Sequence, residues 1–175
     1  EYNVPDSVDE ITLHVKDNYG SGSLWIGTAA ILNMLENNKF ERPIYCALPY
    51  GDDMFDFTDY LQNEGFVSKL MPYKVKDSTD EFNKGKFIVS ILNPDNYKDF
   101  SDIKTHSQPR ADYFFGDNRR NIISDYIQFL LKSNKREEAR AVYSKMNSLM
   151  PIIDYQLSND LEERCKKIEK QFLKD

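Results

Sequence analysis

Near Asp117 the spacing of apolar residues changes, and that change limits what the chain can fold into. Before it, short mixed periods alternate with turn residues; after it, one helical period runs almost to the end. Ile122, Tyr126 and Leu130 share a face, with Ile123, Ile127 and Leu131 beside them. Ser133-Asn134-Lys135-Arg136 makes a short turn. Ala139, Val142, Tyr143 and Met146 then form a second stripe that ends at Pro151, and Leu157, Leu161, Cys165, Ile168 and Phe172 form a third. Apolar residues three and four apart line one side of a helix, so this part reads as three amphipathic helices joined by short loops. The pair spanning Ile122 to Pro151 looks like one tetratricopeptide-type hairpin, with Glu137-Glu138-Ala139-Arg140 opening its second helix and Leu149-Met150-Pro151 closing it. A small residue such as Ala139 lets paired helices approach. A single unit of this kind cannot bury its own face and needs a neighbour.

The first part reads differently. Ile11, Leu13 and Val15 alternate with Thr12 and His14, which predicts a strand. Gly20-Ser21-Gly22-Ser23 breaks the chain, and Leu24, Thr28, Ile31, Leu32 and Leu35 follow at helical spacing until Asn37-Asn38. Ile44 to Leu48 is nearly all apolar, as in a strand covered on both faces. Phe55 to Asn63 predicts a short helix closed by Gly65, Phe66 to Tyr73 a third strand, and Phe87 to Leu92 a fourth; Asp77 to Gly85 and Asn93 to Arg110 read as loop. Alternation of strands and helices favours right-handed crossovers. The expected fold class is therefore α/β: a small, mostly parallel sheet flanked by helices, then a C-terminal helical layer. The expected division is 1–116 and 117–175, packed together as one compact unit.

With 175 residues, 40% hydrophobic and 30% charged, the chain is ordinary globular material. The net charge of -6 argues against nucleic acid as a partner, since phosphate binding needs a basic face and only local clusters such as Arg119-Arg120 exist. Cys46 and Cys165, the two cysteines, sit in apolar runs and are expected to be buried, reduced thiols. No apolar run is long enough to cross a bilayer. The chain opens at Glu1 without a Met, so targeting information is expected upstream.

No complete catalytic, cofactor-binding or metal-binding set is visible. The Gly20-to-Ser23 loop lacks the rest of a dinucleotide or P-loop pattern. His14 and His106 have no Cys or His at ligand spacing. Asp52, Asp53 and Asp56 follow a predicted strand; they suit a hard cation, and equally suit the first turn of a helix, where carboxylates offset the dipole. With Tyr50 they are the surface candidates. Tyr45, Tyr50, Tyr60 and Tyr73 could stack on sugar faces, although packing in the core is the commoner use of such rings.

The stretch from Ala29 to Lys74 carries Ile31-Leu32-Asn33-Met34-Leu35-Glu36-Asn37-Asn38, then Glu41-Arg42-Pro43-Ile44-Tyr45-Cys46-Ala47, then Tyr60-Leu61-Gln62-Asn63-Glu64-Gly65-Phe66-Val67 and Leu70-Met71-Pro72. These blocks resemble the soluble C-terminal region of a bacterial multispanning membrane family of unknown function that is similar to protein O-mannosyltransferases, enzymes of the GT-C-like glycosyltransferase class. The family pattern has an aromatic where Cys46 stands, and Asp77 to Arg110 matches loosely. The resemblance implies an extracytoplasmic, periplasmic domain attached after the last membrane span, with the acidic residues of transfer in the membrane part and none here. Its expected partner is that membrane-embedded part of the same parent chain, with a protein or glycan acceptor beyond it. Its structural motif is Arg42, Pro43, Tyr45, Glu64 and Gly65. Pro43 fixes the start of a strand, and Arg42 at that start is positioned to pair with an acid such as Glu64. The role expected is a non-catalytic accessory domain that positions acceptor or stabilises the membrane part. The alternatives are an interaction module using the helical hairpin and a free-standing α/β ligand-binding enzyme.

Overall fold

The computed structural model describes residues 26–47, 57–97, 109–151 and 159–173. The expected strand from Ile11 to Val15 and the Gly20-to-Ser23 loop lie outside them. The chain divides into two compact units, Glu1–Asn83 and Lys84–Asp175. The change of period at Asp117, which placed a boundary at 116/117, falls inside a continuous helix.

In the first unit, helix α1 (Ile26–Asn38) ends where the paired asparagines predict. The Lys39 N–H donates to the Leu35 carbonyl at 3.2 Å, closing the last turn. Lys39 and Phe40 both take left-handed backbone, with φ of 49° and 60°. A Cβ makes that conformation cost on the order of 1 kcal/mol per residue. What offsets it is packing, because Phe40 is carried back onto the core around Leu70, together with Ile31, Leu32 and Leu35 of α1.

Among the described residues that core rests on a three-stranded antiparallel sheet of β1 (Ile44–Cys46), β2 (Leu61–Asn63) and β3 (Ser68–Leu70), in the order β1-β3-β2. The sheet corrects the parallel arrangement expected from the sequence. Parallel neighbours need a crossover of a dozen residues or more, whereas only Glu64 to Val67 separates β2 from β3, and such a loop permits only antiparallel pairing. Asn63 Oδ1 accepts from the Gly65 N–H at 2.8 Å, the Glu64 N–H donates to the Val67 carbonyl at 3.0 Å, and Gly65 supplies the positive φ of 108°. Gly65 therefore turns a hairpin rather than closing a helix. The helix expected from Phe55 to Asn63 is a single 3-10 turn, Phe57–Tyr60, that runs straight into β2.

Among the described residues β1 is an edge of this sheet, whereas its apolar run suggested a doubly covered strand. Its residues alternate half-buried, exposed, half-buried. The central strand β3 is the one buried along its whole length. Beyond β2, the Asn63 N–H donates to the Glu81 carbonyl at 2.8 Å and the Asn83 N–H to the Asn63 carbonyl at 2.9 Å. The segment from Glu81 to Asn83 thus occupies an edge that would otherwise offer bare backbone groups.

In the second unit, α2 (Lys84–Ile91) replaces the strand expected from Phe87 to Leu92. Its β-branched residues suit either structure. Phe87 and Ile91 are four apart and fully buried, while Val89 between them is 72% exposed, which is the period of a helix and not of a strand. Helix α3 (Pro109–Lys132) starts well before Asp117; proline is at home in a first helical turn, where its missing N–H has no partner to lose. α4 (Arg136–Leu149) and α5 (Asn159–Phe172) lie where the apolar stripes predict. α3 packs against both α4 and α5. Ile123, Ile127 and Leu130 of α3, Ala139 and Met146 of α4, and Leu161 and Ile168 of α5 are buried to within 1%. The Phe87 and Tyr126 rings meet at 4.4 Å between α2 and α3.

Among the described residues Arg120 and Ser124 are polar side chains buried in this apolar interior. Arg120 is 0% exposed; its guanidinium donates to the Met150 carbonyl, just past the end of α4, and to Asn147 Oδ1 at 3.5 Å. Ser124, one turn along α3 and also 0% exposed, has a hydroxyl with no hydrogen-bond partner among the described residues. Their removal should therefore have opposite consequences. Arg120→Ala leaves a large cavity and strips a carbonyl of its donor, and chemical denaturation should show a loss of about 2–4 kcal/mol. Ser124→Ala removes a desolvated hydroxyl and adds helix propensity, so the same measurement should show no loss and up to about 1 kcal/mol of gain.

Candidate functional site

Strand register decides which side chains share a face. Ile44, Leu70 and Leu61 stand opposite one another across the sheet, as do Cys46, Ser68 and Asn63. The first of these rows meets α1. Side chains alternate along a strand, so the remaining row of Tyr45, Lys69 and Gln62 lies on the other face. Tyr45 is 46% exposed there, and strand spacing sets it about 10 Å from Gln62 across Lys69. Gln62 Nε2 donates to the Asp80 carbonyl at 2.8 Å, and the Tyr73 hydroxyl donates to Asp80 Oδ2 at 3.3 Å. The turn carrying Asp80 is thereby fastened beside β2.

Of the five motif residues, Pro43 leads into β1, Tyr45 projects from its middle, and Glu64 and Gly65 form the hairpin turn. Arg42 is exposed at the far end of β1, and its N–H donates to Asn38 Oδ1 at 3.3 Å. Because Ile44 aligns with Leu61 and Cys46 with Asn63, Arg42 and Glu64 lie toward opposite ends of the sheet. Strand geometry sets their backbones roughly 15–20 Å apart, beyond the reach of an ion pair. Glu64 is 5% exposed and accepts instead from the Asn83 side-chain amide at 3.5 Å. The surface candidates Tyr50, Asp52, Asp53 and Asp56, and both histidines, lie outside the described residues.

Lys69 and Gln62, which complete Tyr45's row, were not singled out as site residues by sequence reasoning. The alternation Ser68-Lys69-Leu70 was the available signal, since it assigns Lys69 to the face opposite Leu70. Lys69 is only 8% exposed. Among the described residues no three His, Cys, Asp or Glu side chains gather as a metal would require, and no helix is long and apolar enough to cross a membrane.

The proton affinities bear on chemistry. Burial pushes the Cys46 and Cys165 thiols up. Burial also carries the Tyr97 hydroxyl to about 12, against the opposing pull of Arg119 and Arg120, and the Tyr126 hydroxyl to about 12 with help from Glu138. Tyr143 moves upward, through burial first and then its 2.5 Å hydrogen bond to Glu169. Tyr73 rises as well, through burial and then Asp80. A nucleophile at neutral pH needs the opposite shift, so these thiols and phenols are held in their unreactive forms. The site offers contact: a half-exposed aromatic ring on a sheet face whose far strand is fastened through Gln62 to Asp80.

The first unit is also the part that resembles a known family. Residues 2–87 match the family model described as TMEM260-associated domain 2, which is consistent with a domain of a TMEM260-like membrane protein family. The match takes in α1, the whole sheet and the start of α2. No curated protein and no solved structure matches the chain.

Cys165 is buried and Cys46 half-buried, and both are free thiols. A thiol reagent at pH 7.5 should modify Cys46 slowly and ahead of Cys165, which should react only on unfolding; equal rapid labelling of both would contradict this packing.

Raised phenol pKa values also set a pH window. A group that holds its proton more tightly when folded contributes stability that is complete below its unfolded pKa of about 10 and lost as pH rises toward the folded value. Tyr97 and Tyr126 should therefore weaken the fold between pH 10 and about 12 by on the order of 2 kcal/mol each. Denaturation across that range should show the fall, and Tyr126→Phe should reduce its slope.

Proposed function

We propose that this chain is a non-catalytic accessory domain of a glycosyltransferase-like, TMEM260-like membrane protein, acting on the extracytoplasmic face to position acceptor or to stabilise the membrane part. The match of residues 2–87 to TMEM260-associated domain 2 carries this reading. Burial raises the proton affinity of Cys46 and Tyr73 and so favours their neutral forms, which is compatible with a binding role. Tyr45 suits the positioning role: a flat, half-exposed ring binds a sugar or peptide face without needing to ionise. Its partners would be the membrane-embedded part of the parent and a protein or glycan acceptor. On this reading the transferring groups would lie in that membrane part and not in this chain.

A second reading is favoured by a separate observation. α3 and α4 pair through a fully buried Ala139, and α5 closes against both. A tetratricopeptide-like hairpin with its following helix would have this arrangement, and such units serve as protein-interaction modules.

The two readings predict different losses. The isolated chain, given a lipid-linked sugar donor and acceptor, should give no transfer. In the full-length parent, Tyr45→Ala or joint replacement of Asp52, Asp53 and Asp56 by Ala should raise the KM for acceptor about three- to tenfold. kcat should stay within about twofold, as expected where ground-state binding alone is lost. Sugar turnover by the isolated chain would overturn the accessory reading. Unchanged acceptor KM, combined with loss of a partner protein on replacing exposed α3 or α4 residues, would favour the interaction module.

A further inference from the structure

We draw no further inference here: the strongest candidate, the shallow cleft beside the α3–α4 turn lined by Gln128, Lys132, Asn134, Arg136 and Gln171, opens on the uncapped start of α4 with no second observation pointing to a ligand, and its Gln128 and Arg136 groups both already donate to Gln171.

Discussion

Backbone groups at the ends of short elements govern this structure. A three-residue strand or a fourteen-residue helix leaves a large share of its N–H and C=O groups without partners inside the element, and each left dry is costly. In the helical unit arginines meet the demand. Arg119 donates to the Asn96 carbonyl at 2.9 Å, and Arg120 to the Met150 carbonyl beyond α4. Arg136 and Arg140 donate to the Gln171 and Phe172 carbonyls at the end of α5, each at 2.5 Å. A cation suits the partial negative charge at a helix C-terminus, and a guanidinium can reach across from a neighbouring helix. Arg136, Arg140 and Tyr143 thus form one stripe of α4 that grips α5, with Tyr143 edge-on to Phe172 at 5.6 Å.

The sheet unit meets the same demand with backbone. The Asp59 carbonyl accepts from the N–H groups of Val75 and Lys76 at 2.8 and 3.1 Å, and the Tyr60 carbonyl from that of Met71 at 2.8 Å. Asp59's carboxylate stands 3.5 Å from the ammonium groups of both Lys74 and Lys76. These pairs are exposed and worth little individually. Their use is geometric, since they hold the returning chain where the carbonyls need it. Three strands of three residues are marginal alone, so the loops around them are structural parts of the sheet.

The sequence made some of this legible and hid the rest, for specific reasons. α4, α5 and the later part of α3 were readable because long amphipathic stripes have one interpretation. α2 was not: Phe87-Ile88-Val89 is a short run of aromatic and β-branched residues, and only burial, with Phe87 inside and Val89 outside, separates helix from strand. The sheet's direction was hidden behind Gly65, because a glycine with positive φ closes a helix or turns a hairpin equally well. The pattern Asn63-Glu64-Gly65 carried the hairpin signal. Phe57, Tyr60 and Leu61 at helical spacing outweighed it on paper, although they belong to one 3-10 turn and the strand after it. Tyr45 was picked out from the motif, but its face of the sheet needed the register, which depends on pairing between distant segments.

Arg119 and Arg120 show how a linear reading of charge misleads. Adjacent in sequence, they looked like the chain's local basic cluster. On a helix, neighbouring residues point about 100° apart, and these two serve different surroundings. Arg120 is buried on Met150 and Asn147, while Arg119 lies 4.9 Å over the Tyr97 ring and holds Asn96. For either to bind a phosphate, a carbonyl would have to give up its charged donor. For Arg120 the helical unit would also have to open. Arg136 and Arg140 are committed in the same way at the end of α5, and Arg164 to Asn121 and Asp125 on α3. In a chain of net charge -6, Arg119, Arg120, Arg136, Arg140 and Arg164 of the helical unit are committed to contacts within it, so the count of basic residues overstates what is available to an anionic partner.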